Sequence, residues 1–323
     1  ITARGIDIRR CRVMTTSGTT GVPLKTYYRR KDLTRTNLGW ARAYLAHGMR
    51  ARDRIAAFQG WRASGRKKAW YEFLRVWRCR TLSSLDGPEA WVSELREWNP
   101  QILMGYAMTL TLLADAVKES PADGIRPRAI FHTSGLLHER EREFIERTLG
   151  SKVIDLYGSD EGGCIAWECP RCPGYHVNAD LVVLEILEDG RAAPPGRPGE
   201  VVITNLHSFA MPLIRYRQED VAVWSPEEPS CGRGLPLVRD IQGRIDDFII
   251  LPTGKRISPH PFYWALLSVP GMAKWKVVQE TRSLLRVEVV GGREFPTNGL
   301  AMIEANVRKI VGSDMALDVS VVD

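Results

Sequence analysis

Residues 129–163 read AIFHTSGLLHEREREFIERTLGSKVIDLYGSDEGG. Ala129 to His132 is a short apolar run of buried-strand length. Leu137 to Leu149 has helix length and carries Glu143 and Arg147 at i,i+4, and Lys152 to Leu156 is a second apolar run. Strand, helix and strand in so few residues predict an α/β layered sheet. The second strand ends in a glycine-flanked acidic turn, Tyr157-Gly158-Ser159-Asp160-Glu161-Gly162-Gly163. Open α/β sheets bind ligands at the carboxyl edge of their strands, so this turn is a candidate site, with an ordinary acidic turn as the competing reading.

The same alternation extends towards the N-terminus. Leu33 to His47 has helical spacing and stops at Gly48, Ile55 to Phe58 is a short strand, and Arg66 to Arg80 places Trp70, Phe73, Leu74 and Trp77 on one helical stripe. Pro88 to Trp98 and Leu110 to Lys118 read as helices around a strand at Gln101 to Gly105. Beyond Val177 the chain turns β-rich, with strands expected at Leu181 to Leu187, Glu200 to Thr204, Leu213 to Tyr216 and Val221 to Trp224. After Gly243 a small α+β pattern follows: strands near Phe248 to Leu251, Trp275 to Glu280 and Leu284 to Val290, a helix over Leu300 to Val311 and a last strand. The expected division is a large domain over 1–245 and a small one over 246–323.

Another stretch reads as chemistry from the start, Thr15-Thr16-Ser17-Gly18-Thr19-Thr20-Gly21-Val22-Pro23, with Lys25 after it. Glycines free the backbone to turn, and hydroxyls beside the exposed N–H groups can surround a polyphosphate. It is not a Walker loop, because the G-x-x-x-x-G-K-[ST] frame is absent: Lys25-Thr26 follows Gly21 only after Val22, Pro23 and Leu24; a plain surface turn is the alternative. Downstream, Pro212 to Asp220 reads as a strand ending in a carboxylate, and Asp220 can accept from both hydroxyls of a ribose. Glu161 can hold magnesium, and Tyr157 can flank an adenine.

The chain of 323 residues is 44% hydrophobic and 26% charged, the balance of a folded globular protein. Its net charge of +7 is unevenly placed: residues 1–80 hold 20 Lys/Arg against 4 Asp/Glu, and the remainder 25 against 34. A basic front suits polyanions in general, including nucleotides, coenzyme A and acidic surfaces; the Arg66 to Arg80 stripe reads first as core under a solvated basic face, ahead of a membrane or nucleic-acid surface, with a shelf for cofactor phosphates as a third reading. No nucleic-acid motif accompanies that charge, so no nucleic-acid partner is expected. Without an apolar run of about eighteen residues or a basic-then-apolar leader, a cytoplasmic protein with no integral membrane segment is expected. The start at Ile1 and the stop at Asp323, directly after a strand-like segment, read as a piece lacking both natural ends.

Four stretches in order, the hydroxyl-glycine loop, YGSDEGG at 157–163, MPLIRYRQED at 211–220 and QGRIDD at 242–247, resemble the adenylate-forming ligases. The resemblance is to their phenylacetate-coenzyme A ligase and CapK-like branch, and the four stretches span most of the chain. It implies an α/β large domain followed by a small mobile α+β domain hinged at Asp246. It implies ATP-dependent activation of a carboxylic acid, aryl or similar, to an acyl-adenylate, then transfer to coenzyme A with AMP and pyrophosphate released. ATP, Mg²⁺ and coenzyme A are the implied cofactors, and a homodimer is compatible. The nucleotide falls to Thr16, Ser17, Gly18, Thr19, Thr20, Gly21, Tyr157, Gly158, Asp220 and Arg244, and the chemistry to Thr20 and Glu161. The chain departs from the pattern in one place that matters: the family's adenylation lysine, in a glycine-lysine stretch near the end of the small domain, has no counterpart before Asp323. Lys255, just after the hinge, does not replace it. A non-catalytic nucleotide-binding or scaffold homologue and an adenylating enzyme with another acceptor therefore stand as alternatives.

Three cysteines crowd together in Cys164-x4-Cys169-x2-Cys172-x3-His176, with Cys231 later. Cys-x2-Cys lets one turn present two sulfurs to Zn²⁺. Some CapK-like relatives carry a Cys/His set here and a later Cys-x-Cys-Gly, of which this chain keeps Cys231 and has Pro229 in the other place. The expected ligands are Cys169, Cys172, His176 and Cys231, with Cys164 in reserve; free buried thiols are the alternative. Cys11 and Cys79 read as core residues.

Overall fold

The computed structural model describes residues 2–15, 24–59, 76–83, 86–119, 125–244, 248–257, 261–262, 265–266, 268–292 and 294–322. The chain forms two compact units, residues 1–218 with 222–241, and residues 219–221 with 242–323.

In the first unit a two-stranded ribbon, β1 (Arg12–Thr15) and β2 (Lys25–Tyr28), pairs Thr15 with Lys25. α1 (Arg30–Ala46) follows, then the parallel strands β3 (Arg54–Gln59), β4 (Arg78–Ser83), β5 (Ile102–Gly105), β6 (Ala129–His132) and β7 (Val153–Ser159). Between them run α2 (Pro88–Trp98), α3 (Ala107–Glu119) and α4 (Glu139–Leu149). Pro88 opens α2, where a missing N–H costs nothing, and Asn99 closes it in a left-handed conformation at φ 46°. Gly150 closes α4 in the same way at φ 66°.

Ile130 and Phe131 of β6 are both buried because helices cover both faces of the sheet. Ile130 packs with Leu95, Leu113, Ile145 and Val153, and Phe131 with Ala43, Ile102 and Leu156.

β7 is the seam of the sheet. It pairs parallel with β6 on one edge and antiparallel with β8 (Gly163–Glu168) on the other. The antiparallel half continues through β9 (Tyr175–Val177), β10 (Val182–Glu188), β11 (Arg191–Ala192), β12 (Pro198–Asn205), β13 (Tyr216–Trp224) and β14 (Leu237–Arg244). The order across the described sheet is β11-β10-β12-β13-β14-β9-β8-β7-β6-β5-β3-β4. The second unit adds β15 (Ile249–Ile250), β16 (Arg256–Ile257), β17 (Met272–Thr281), β18 (Leu284–Gly291), α5 (Gly299–Val311) and β19 (Ala316–Val321). There β17, β18 and β19 form one sheet, whose Leu285, Val287 and Val289 pack with Ile303, Val307 and Val311 of α5.

The expected α/β class with a small α+β unit is the one observed. Several boundaries differ. The helix expected over Arg66 to Arg80 fails at its end, because Arg78, Cys79 and Arg80 belong to β4 and pair with Arg54, Ile55 and Ala56 of β3; Trp70, Phe73 and Leu74 lie outside the described residues. The two strands expected at Leu213 to Tyr216 and Val221 to Trp224 are one strand, β13, so Asp220 sits inside a strand. Cys79 is half-buried against the core, and Cys11 is half-buried in a turn that follows Ile8–Arg10. Among the described residues, no helix is long and apolar enough to cross a membrane.

Candidate functional site

The β7–β8 connection is the acidic turn. Its glycines are required by space: a Cβ on Gly158 would lie 2.4 Å from the Gly163 carbonyl oxygen and 2.8 Å from Trp40. Gly163 has φ +68°, a conformation that disfavours side chains, and its Cβ would meet Thr36 at 2.8 Å. Ser159 Oγ accepts from the Gly162 N–H at 2.9 Å and closes the turn.

Three side chains from elsewhere then converge on Glu161. Tyr28, at the end of β2, is buried; its hydroxyl donates to the Asp160 carbonyl and lies 3.3 Å from that of Glu161. Asn205 Nδ2 donates to the Glu161 carbonyl at 2.8 Å. Tyr216, the first residue of β13, donates its hydroxyl to Glu161 Oε1 at 3.2 Å. The Glu161 residue is only 7% exposed. Burial pushes the Tyr28 phenol well above its ordinary range, with the Glu161 and Asp160 charges adding to it, so the hydroxyl keeps its proton and remains a donor. Burial also raises the neighbouring Asp160. Tyr157 is half-buried, packed beside Ile165, Ile203 and Val238.

The hydroxyl-glycine stretch, with Thr16, Ser17, Gly18, Thr19, Thr20 and Gly21, lies outside the described residues, as does Asp246. The bases of that stretch are fixed by the Thr15–Lys25 pairing. Asp220 and Arg244 are half-buried and belong to the second unit together with Glu219, whose carboxylate pairs with the Arg244 guanidinium. Glu219 is in the left-handed region at φ 62°.

At the far end of β8 the four residues expected to bind metal meet. The ligating atoms of Cys169, Cys172, His176 and Cys231 all lie within 4.8 Å of one another. His176 Nε2 is 3.2 Å from Cys231 Sγ, and the Arg171 N–H points at Cys169 Sγ at 3.4 Å. Three thiols and an imidazole at this separation suit a tetrahedral ion, for which about 2.3 Å metal–sulfur bonds place sulfurs roughly 3.8 Å apart. Burial favours the neutral His176 ring, the form that ligates. The backbone N–H of Arg233 beside Cys231 draws that thiol down to about 7, whereas burial holds Cys172 up at about 11. Cys164, the reserve, is buried beside Asn178, whose amide donates to its carbonyl, and is not part of the group.

Sequence reasoning missed Tyr28, Asn205 and Tyr216 as partners of Glu161, because each comes from a distant stretch. It also missed a polar cluster behind β7: Asp155 accepts from His132 Nδ1 at 2.8 Å and from the Tyr175 hydroxyl at 2.8 Å, and its N–H donates to Glu168 at 2.9 Å. Both His132 and Asp155 lie in the expected strands Ala129 to His132 and Lys152 to Leu156, whose apolar pattern carries no sign of the pairing.

No family model matches the chain. The phenylacetate-coenzyme A ligase of Pseudomonas putida is 29% identical over 252 residues, covering 74% of this chain and 56% of the relative. That of Thermus thermophilus is 27% identical over 273 residues, covering 80% and 60%. The chain is similar to the phenylacetate-coenzyme A ligases over about three quarters of its length. It spans little more than half the length of the relatives it matches. A structure of 2-hydroxyisobutyryl-CoA ligase in the postadenylation state superposes with a TM-score of 0.76 at 21% identity, covering 98% of this chain and 71% of that one. A structure of an anthranilate CoA ligase with anthranoyl-AMP gives 0.73 at 17%, covering 96% and 62%. This phenylacetate-coenzyme A ligase relative therefore has the fold of adenylate-forming coenzyme A ligases, as its four stretches imply.

Proposed function

We propose that this protein activates a carboxylic acid, aryl or similar, with ATP to an acyl-adenylate and transfers the acyl group to coenzyme A, releasing AMP and pyrophosphate. The observation that carries this reading is the Glu161 turn at the carboxyl end of β7, its backbone held by Tyr28 and Asn205 and its carboxylate by Tyr216, in a chain similar to phenylacetate-coenzyme A ligases over 74% of its length. A buried carboxylate oxygen ligand on a turn held from three sides fits a hard cation, so Glu161 would hold Mg²⁺. When bound, Mg²⁺ neutralises charge that develops on phosphate oxygens. The hydroxyls and N–H groups of Thr16 to Gly21 would cradle the phosphates, with Thr20 nearest the chemistry, Tyr157 and Gly158 would border the adenine, and Asp220 would accept from the ribose hydroxyls. Arg244 would add a cationic contact to ribose or phosphate.

Cys169, Cys172, His176 and Cys231 would hold a structural Zn²⁺. β8 separates this group from Glu161 by a strand of six residues, roughly 20 Å, too far for its ion to touch a phosphate bound at Glu161. The large domain over 1–245 and the small one over 246–323 would move about Asp246, in the cytoplasm, with no nucleic-acid partner and with a homodimer as the assembly. The test is acid-dependent pyrophosphate release by the intact natural protein over a panel of aryl and aliphatic acids with coenzyme A. Release with at least one acid, abolished in Asp220→Ala, is expected. Nucleotide binding without release for any acid would instead favour a non-catalytic homologue.

A further inference from the structure

Glu161 is held from three directions, and the donors come from three separate parts of the chain. Tyr28 ends the strand that leaves the hydroxyl-glycine stretch, Asn205 ends β12, and Tyr216 begins β13. Two of them act on the backbone. The buried Tyr28 hydroxyl and the Asn205 amide fix the carbonyl groups of the turn, which sets where the Glu161 side chain starts. Tyr216 acts on the side chain itself, donating to Oε1 at 3.2 Å. A carboxylate has about four lone-pair sites on its two oxygens, so one phenolic donor fixes its rotamer and still leaves acceptor capacity for a cation. The half-buried Tyr216 ring packs against the buried cluster of the antiparallel half.

We infer that Tyr216 is a positioning residue for Glu161, orienting its carboxylate on a turn whose backbone carbonyls are held by Tyr28 and Asn205. The inference rests on the reading of Glu161 as a magnesium ligand and adds the groups that orient it. Partners behind a metal ligand set its direction and basicity, and their loss typically costs about 10–100-fold in metal affinity. Because Tyr28 holds only the backbone, its loss shifts the turn as a whole, whereas loss of the Tyr216 hydroxyl frees the carboxylate alone.

The deciding experiment measures Mn²⁺ binding in the presence of ATP by water-proton relaxation, with Mn²⁺ in place of Mg²⁺. The intact wild-type protein is compared with Tyr216→Phe, Glu161→Gln and the double variant. Tyr216→Phe keeps the packed ring and removes only the donor. The expected result is a rise of about 10-fold in the Mn²⁺ dissociation constant for Tyr216→Phe. The double variant should be no weaker than Glu161→Gln alone, because the two changes remove one shared interaction. An unchanged Mn²⁺ response in Tyr216→Phe, or losses that multiply in the double variant, overturns the inference. Wild-type protein that binds Mn²⁺ with ATP but shows no acid-dependent pyrophosphate release defeats the ligase reading and leaves the binding comparison to decide this one. Wild-type protein that binds no Mn²⁺ with ATP overturns both.

Discussion

The two ends of β8 are built on opposite plans. Before Gly163 stands a turn approached by neutral donors from distant strands, Tyr28 and Asn205 on its backbone carbonyls and Tyr216 on the Glu161 carboxylate. After Glu168 stands a loop in which four ligating side chains close on one point, two of them three residues apart. In the first plan the surrounding core fixes one functional group, and the group adds little to the fold. In the second, among the described residues, Leu237 packs with Cys169 and Cys172 and the Trp167 ring stands 5.1 Å from His176, so a bound ion would add to a small apolar cluster. The contrast implies that damage at the metal end should appear as lost stability, and damage at the acidic end as lost ligand binding.

The strongest way to break that contrast is at the proposed zinc group. Protein purified without chelator should carry one equivalent of zinc by elemental analysis. Cys169→Ser should lose it and become less stable by about 4 kcal/mol in urea unfolding, the range reached when a structural metal is lost. Zinc-free wild-type protein with unaltered unfolding would remove the structural role and return the cysteines to the reading of free buried thiols.

Much of this was legible in sequence, for physical reasons that differ from place to place. The cysteine group was readable because Cys169, Cys172 and His176 are close in sequence and one turn brings them together; only Cys231 had to arrive from afar, across the pairing of His176 with Leu237. The β5, β6 and β7 strands were readable because burial on both faces gives continuous apolar runs. β4 was not, since Arg78, Cys79, Arg80 and Thr81 have no apolar alternation and become a strand only by pairing with β3. β8, β9 and β14 also went unread: β9 has three residues, and Asp240, Gln242 and Arg244 of β14 look like a loop until their neighbours are in place. The partners of Glu161 lie 133, 44 and 55 positions away, and no local pattern encodes such pairings.

A smaller effect is expected between the two ends, at Asp155 on β7. It serves the completely buried His132 and the Tyr175 hydroxyl at once, and Tyr175 precedes the candidate ligand His176. Burial and the Asp155 charge hold the Tyr175 phenol well above its ordinary range, so its proton stays to be donated. Asp155→Ala leaves two buried donors without their acceptor, at about 1–3 kcal/mol each, and a loss of roughly 3 kcal/mol is expected in urea unfolding. Zinc content should be retained, because none of the four ligands is touched. Simultaneous loss of zinc would show that the metal loop depends on this cluster, and the two ends of β8 would then be less separate than their plans suggest.

The smallest expected effect concerns backbone and not side chains. Glu219 stands next to Asp220 in a left-handed conformation at φ 62°, which costs a residue with a Cβ roughly 1–2 kcal/mol and costs glycine almost nothing. Its carboxylate pairs with Arg244, but both side chains are substantially exposed, at 44% and 36%, and such pairs contribute about 0–1 kcal/mol. Glu219→Gly removes the strain and the ion pair together and gives the unfolded chain more freedom, so the changes nearly cancel and stability should move by less than about 1 kcal/mol. Glu219→Val keeps a Cβ, adds branching at a positive φ and also loses the pair; it should cost about 2 kcal/mol more than the glycine variant. Equal stability of the two variants in urea unfolding would show that the left-handed conformation is not maintained in solution. A large loss in Glu219→Gly would instead show that the Arg244 contact dominates, and that Glu219 belongs with Tyr216 among the groups whose side chains organise the acidic motifs.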